Sequence, residues 1–99
     1  MIEVSSKEYQ KSMAWSDARV YCFTLDIDGK VGWRLPTIKE LIKLHNGLTK
    51  SNKYNLPRDY HWSGELRHSD TAWVVDLHTS ASVTKYVTRE FWVRPVRDI

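Results

Sequence analysis

The side chains able to do chemistry are few and scattered. His61, His68 and His78, with Asp70 and Asp76, form the one stretch where imidazoles and carboxylates recur closely. Their spacing matches neither His-x-His nor His-Glu-x-x-His, and no cysteine pair accompanies them, so the pattern does not describe a zinc site. Cys22 is the lone thiol. It falls on the apolar stripe of an expected helix, where a thiol is buried and inert rather than nucleophilic. Ser63 follows His61 closely enough to invite a hydrolase reading, but strand alternation is expected to part them. Asp26-Ile27-Asp28-Gly29-Lys30 alternates Asp and Gly as calcium loops do, yet lacks their further acidic positions and late Glu. No Gly-rich loop precedes a helix to hold phosphate. The reading is therefore no catalytic residues, no metal, no calcium and no cofactor.

What remains is a set of cations. Lys50, Lys53, Arg58, Arg67 and His68 are expected on two central loops, and Lys85 and Arg89 on a late hairpin. Loops on a rigid scaffold are where recognition concentrates, so these seven are the candidate partner-binding residues. The net charge of +3 over 99 residues is a modest basic bias. It falls short of the dense stripe of a dedicated nucleic-acid binder. No apolar run approaches the length of a membrane span, and no basic start with an apolar segment marks a leader.

The elements that must position these residues follow from local pattern. The clearest is Trp33-Arg34-Leu35-Pro36-Thr37-Ile38-Lys39-Glu40-Leu41. Pro36 keeps Leu35 extended, and Thr37 with Glu40 spells a capping box, with Pro36 and Leu41 placed as a hydrophobic staple. A helix is expected from Ile38 to about Asn46, stopped at Asn46-Gly47. Ile38, Leu41, Ile42 and His45 share its inner face. An earlier helix is expected from about Ala14 to Leu25, capped by Ser12 or Ser16, burying Ala14, Ala18, Tyr21, Cys22 and Leu25. Strands are expected at Ile2 to Val4, pairing with the C-terminal strand, then at Tyr60 to Ser63, Ala72 to Leu77, Val83 to Thr88 and Phe91 to Val96. Gly64 to Thr71 reads as a loop, and Pro95 as an edge or a bulge. The five tryptophans read as packing. The sum is one α+β domain over 1–99, both helices on one face of a twisted antiparallel sheet.

Ala14-Trp15-Ser16-Asp17-Ala18-Arg19-Val20-Tyr21-Cys22, Gly32-Trp33-Arg34-Leu35-Pro36-Thr37, Glu40-Leu41, Tyr60-His61-Trp62-Ser63, Ala72-Trp73-Val74-Val75-Asp76 and Val93-Arg94-Pro95-Val96-Arg97 occur in an order that resembles the Lcl C-terminal-domain family. The resemblance implies a C-type-lectin-like, formylglycine-generating-enzyme-like fold whose long loops are the usual ligand face. It also implies a second cysteine in the closing strand, where this chain has Pro95, and a sulfated glycan as one ligand class. The missing cysteine points to a reducing, cytoplasmic setting. The function expected is a non-catalytic protein-binding module, a phage or mobile-element product that inhibits a host protein complex in the manner of an anti-CRISPR. The alternative is a polyanion-binding module for nucleic acid or a sulfated glycan.

Overall fold

Pro36 ends an extended stretch and Thr37 opens a helix. The Thr37 amide donates to Glu40 Oε1 at 2.8 Å, and the Glu40 amide donates to Thr37 Oγ1 at 3.1 Å. This reciprocal pair satisfies two groups that a helix start otherwise leaves open. A third is met when the Ile38 amide donates to Glu65 Oε2 at 2.9 Å. The computed structural model describes residues 1–48 and 53–99, so the candidate Lys50 lies outside the described residues.

The elements in order are β1 (Ile2–Val4), a 3-10 turn (Lys7–Tyr9), β2 (Lys11–Met13), α1 (Trp15–Thr24), α2 (Ile38–Leu48), β3 (Tyr60–His68), β4 (Thr71–Asp76), β5 (Ser82–Tyr86), β6 (Phe91–Val93) and β7 (Val96–Asp98). β1 and β7 pair antiparallel into a ribbon that joins the two ends of the chain, as the sequence suggests. The other five strands form a curled sheet in the order β2-β6-β3-β4-β5. Its pairs are antiparallel except β3 with β6, which meet in parallel at His61 and Trp92.

Alternation along β4 sorts the core into two. Ala72 and Val74 face one side and pack with Trp15, Ala18 and Cys22 of α1 and with Trp62. Val75 faces the other side and packs with Leu41 of α2, Leu56 and Leu77. The helices thus cover opposite faces of the sheet rather than sharing one. Each buried indole also finds an acceptor, as a buried N–H must. Trp15 donates to the Ser63 carbonyl, Trp62 to Met13 and Trp33 to Lys30, each at 2.9 Å. Trp73 and Trp92 are only half-buried.

Several expectations shift. Neither serine caps α1: its N-cap is Ala14, which makes no side-chain cap, and the Trp15 amide donates instead to the Val87 carbonyl. α2 runs through Asn46 and Gly47 to Leu48. The loop expected from Gly64 to Thr71 is a hairpin, because β3 continues to His68 and pairs with Thr71. A register shift between Trp62 and Leu66 absorbs Gly64, whose amide leaves the ladder to donate to the Pro36 carbonyl. Asp26 to Lys30 forms a two-residue reverse turn. Asp28 and Gly29 both take positive φ, and the Asp26 carboxylate accepts from the Gly29 amide. The last strand breaks at Arg94-Pro95, where the chain leaves the curled sheet for the terminal ribbon.

Thr37→Ala should cost about 1 kcal/mol, the usual value of a lost cap. Glu40→Ala also removes charge-assisted bonds and should cost about 2 to 3 kcal/mol. Urea unfolding of the two variants checks that ordering.

Candidate functional site

The stretch from Trp33 to Leu41 is spent on holding the fold. Arg34 grips Glu40 with both ends of its guanidinium, at 2.8 and 2.9 Å, and reaches Asp98 at 2.8 Å. Its backbone pairs with Val96 in both directions. Arg34 therefore fastens the terminal ribbon to the start of α2, and its charge holds the Glu40 and Asp98 carboxyls below their usual range. Arg97 and Lys30 do the same for Glu3.

A second network lies inside. His61 is fully buried. Its Nδ1–H donates to the Asp59 carbonyl at 3.0 Å, which leaves Nε2 to accept from the Gln10 amide at 2.9 Å. Gln10 Oε1 in turn accepts from Arg94 Nη1 at 3.0 Å. Burial pushes the His61 imidazole down to about 4 and the Cys22 thiol up to about 12. His61 and Ser63 are two apart and share a strand face, so alternation does not part them. Hydrogen bonding does: the Ser63 hydroxyl donates to the Trp73 carbonyl. Among the described residues, His61, His68, His78, Asp70 and Asp76 do not converge into a metal-holding group.

The basic candidates are dispersed. Lys53 lies over the Tyr54 ring at 5.4 Å. Arg67 and His68 are exposed on β3, not on a loop, and Arg67 covers Trp73 at 6.0 Å. Lys85 covers Tyr60 at 5.0 Å. Tyr60 pairs with Asp76, three residues from Trp73, so Arg67 and Lys85 stand on opposite faces of the sheet. Arg58 is exposed on the segment before β3, and Arg89 is exposed in the turn after β5. These six do not make one surface, and three of them roof aromatic rings.

A different surface is continuous. α1 turns Trp15, Ala18 and Cys22 inward but carries Val20 and Phe23 outward, 63% and 83% exposed. Two shallow hollows of about 370 Å³ each meet there and share Arg19 and Phe23. One continues over Trp33, Leu35 and Gly64 to Glu65, the other over Trp15 and Val20. Arg19 lies across the Trp15 ring at 5.1 Å. The sequence signal was present, since α1 has apolar residues outside its buried stripe, but a period search rewards the stripe alone.

A terminal ribbon, one helix on each side of a curled sheet and a long connection between the helices define an α+β domain of C-type-lectin-like type. The family model of the Lcl C-terminal domain matches residues 3–97, and the chain belongs to that family. No curated protein matches it.

His61 makes stability depend on pH. Above about 6.5 both folded and unfolded states hold it neutral, and its contribution is complete. As pH falls toward about 4 only the unfolded chain takes up this proton. Stability then drops by up to about 1.4 kcal/mol per pH unit. Below the folded value nothing more is lost. His61→Gln should flatten that slope by one proton between pH 6.5 and 5, measured by urea unfolding at stepped pH. A thiol reagent should leave Cys22 unmodified until the chain unfolds.

Proposed function

We propose that this domain is a non-catalytic protein-binding module that docks its partner on the outer face of α1. The observation that carries the reading is the exposure of Phe23 and Val20 between two adjoining hollows. Val20 and Phe23 lie together on the outer face of α1, and a contiguous exposed apolar patch, unlike a single exposed residue, is the mark of an interaction site. An exposed aromatic beside an arginine is also the usual make-up of an interface hot spot. Arg19 at the centre favours a partner whose apolar contact is rimmed by acidic groups, and the overall charge of +3 would speed that encounter. The narrower form has a phage or mobile element using the domain in the host cytoplasm against a defence complex. It rests on the sequence reading, and the lone buried thiol is consistent with a reducing compartment. Among the described residues no helix is long and apolar enough to cross a membrane.

The polyanion reading, nucleic acid or sulfated glycan, draws on the basic residues. It is weakened by the separation of Arg67 from Lys85.

Capture from host lysate at two salt concentrations separates the readings. Phe23→Asp should abolish retention of the captured protein while shifting stability by no more than about 0.5 kcal/mol, as at an ordinary surface position. A combined Arg67→Gln, Lys85→Gln, Arg89→Gln variant should retain it. Binding to heparin or DNA that falls steeply with salt, and is lost in the triple variant but not in Phe23→Asp, would refute the proposal.

A further inference from the structure

β5 is an outer strand of the curled sheet and pairs only with β4. Its pairing runs from Val75 with Ser82 to Thr71 with Tyr86 without a register shift. The phase of that ladder is set at both ends. The Asp76 amide donates to the Ala81 carbonyl, and the Val87 amide donates to the Asp70 carbonyl, each at 2.9 Å. Bonded positions alternate along an antiparallel pair, so Val83 and Lys85 also turn their backbone groups to β4. Ser82, Thr84 and Tyr86 turn theirs away from the sheet. The Tyr86 carbonyl accepts from the Arg89 amide. That leaves the three outward amides and the carbonyls of Ser82 and Thr84 without a partner among the described residues. They line an edge about 17 Å long. The opposite edge offers less: β2 spans three residues, and its Met13 carbonyl already accepts from the Trp62 indole.

A regular strand with an open edge is a template for another strand, and its side chains decide which one. Register places Val83 and Lys85 on the face of Val74 and Ala72, and Ser82, Thr84 and Tyr86 on the face of Trp73. Tyr86 is 60% exposed, and Thr84 stands opposite Trp73, over which Arg67 lies. β5 carries no carboxylate. Among the described residues Lys85, Arg67 and Arg89 form no ion pair. At one end of the edge the Asp76 carboxylate is engaged by the His78 amide and the Thr79 hydroxyl. At the other, Asp70 and Glu90 lie beyond Tyr86. A second copy fits this edge badly. In-phase antiparallel pairing of β5 with itself about Thr84 sets the two Lys85 side chains on one face as diagonal neighbours, about 7–8 Å apart. A lysine on an edge strand discourages self-pairing in this way. The same lysine attracts a strand that brings a carboxylate.

We infer that the free edge of β5 receives an extended acidic segment of a partner protein, added antiparallel as a further strand of the sheet. The segment's backbone bonds to Ser82, Thr84 and Tyr86. Its carboxylates lie on the Lys85 face, and its apolar side chains pack on Thr84 and Tyr86 on the other. The edge uses none of the α1 residues and does not rest on the docking proposal.

The probe is a blocked seven-residue peptide alternating valine and glutamate, titrated into the full chain and followed by amide shifts and hydrogen exchange. In the free chain the Ser82, Thr84 and Tyr86 amides should exchange fast, with Val83 and Lys85 protected. The peptide should shift these amides saturably and protect the three open ones. Lysine in place of glutamate should weaken the peptide at least tenfold, and Lys85→Gln should narrow that preference several-fold. Thr84→Pro removes an outward N–H and no bond to β4, so it should fold and lose the peptide. The peptide itself gives a check that leaves the protein unaltered. N-methylating its valines, whose amides face β5, should abolish binding, and N-methylating its glutamates should not. Phe23→Asp should bind as the parent does. Shifts that never saturate, equal affinity for the glutamate and lysine peptides, equal binding by the two methylated peptides, or binding lost in Phe23→Asp would each overturn the assignment. So would dimerisation through β5 without peptide, which would make a second copy the occupant.

Discussion

Arg34 is the point at which three parts of the chain meet. Its backbone bridges Val96, its guanidinium grips Glu40 at the first turn of α2, and its far side reaches Asp98 in the terminal ribbon. A lysine could supply the charge but not the two-pronged geometry, because an ammonium is a point donor. Glu40 is shared in turn, capping the helix and closing the ion pair with one carboxylate. The long connection between α1 and α2 is held here as well as by its buried Trp33 and Leu35. Its second anchor repeats the device, with Arg97 bound to Glu3 and stacked near the Trp33 ring at 5.8 Å.

This explains which parts of the fold were legible. The capping box could be read from Thr37 and Glu40 because helix starts obey a local code. The terminal ribbon could be read in part, from Ile2 and Val4 alternating about Glu3, but its partner Val96–Asp98 starts where the expected last strand ends. The hairpin through Gly64 to His68 could not, since Glu65, Arg67 and His68 are exposed and a solvated two-strand ribbon has a loop's composition. The placement of the helices on opposite sheet faces is a tertiary fact that each helix pattern leaves open. Arg94 was hidden by its type: arginine is rarely buried, so its position between Val93 and Pro95 reads as a surface strand residue.

The candidate site shows the same division. A list of cations gathered along the sequence assumes that loops bring them together. The structure instead spends Lys53, Arg67 and Lys85 as covers for aromatic rings, two of them on opposite sheet faces. The continuous exposed surface is apolar at its centre and lies on α1, with Arg19 beside Phe23. The buried Arg94-Gln10-His61 chain fixes the N-terminal segment against β3 and leaves a cleft beside it.

Native-state hydrogen exchange on Arg34→Lys probes this arrangement most directly. If one arginine joins ribbon and helix, the Val96 amide and the first amides of α2 lose protection together, while Trp62 and Val74 in the central strands keep theirs. Unchanged protection at Val96 with loss confined to α2 would reduce Arg34 to a helix cap and contradict the shared clasp.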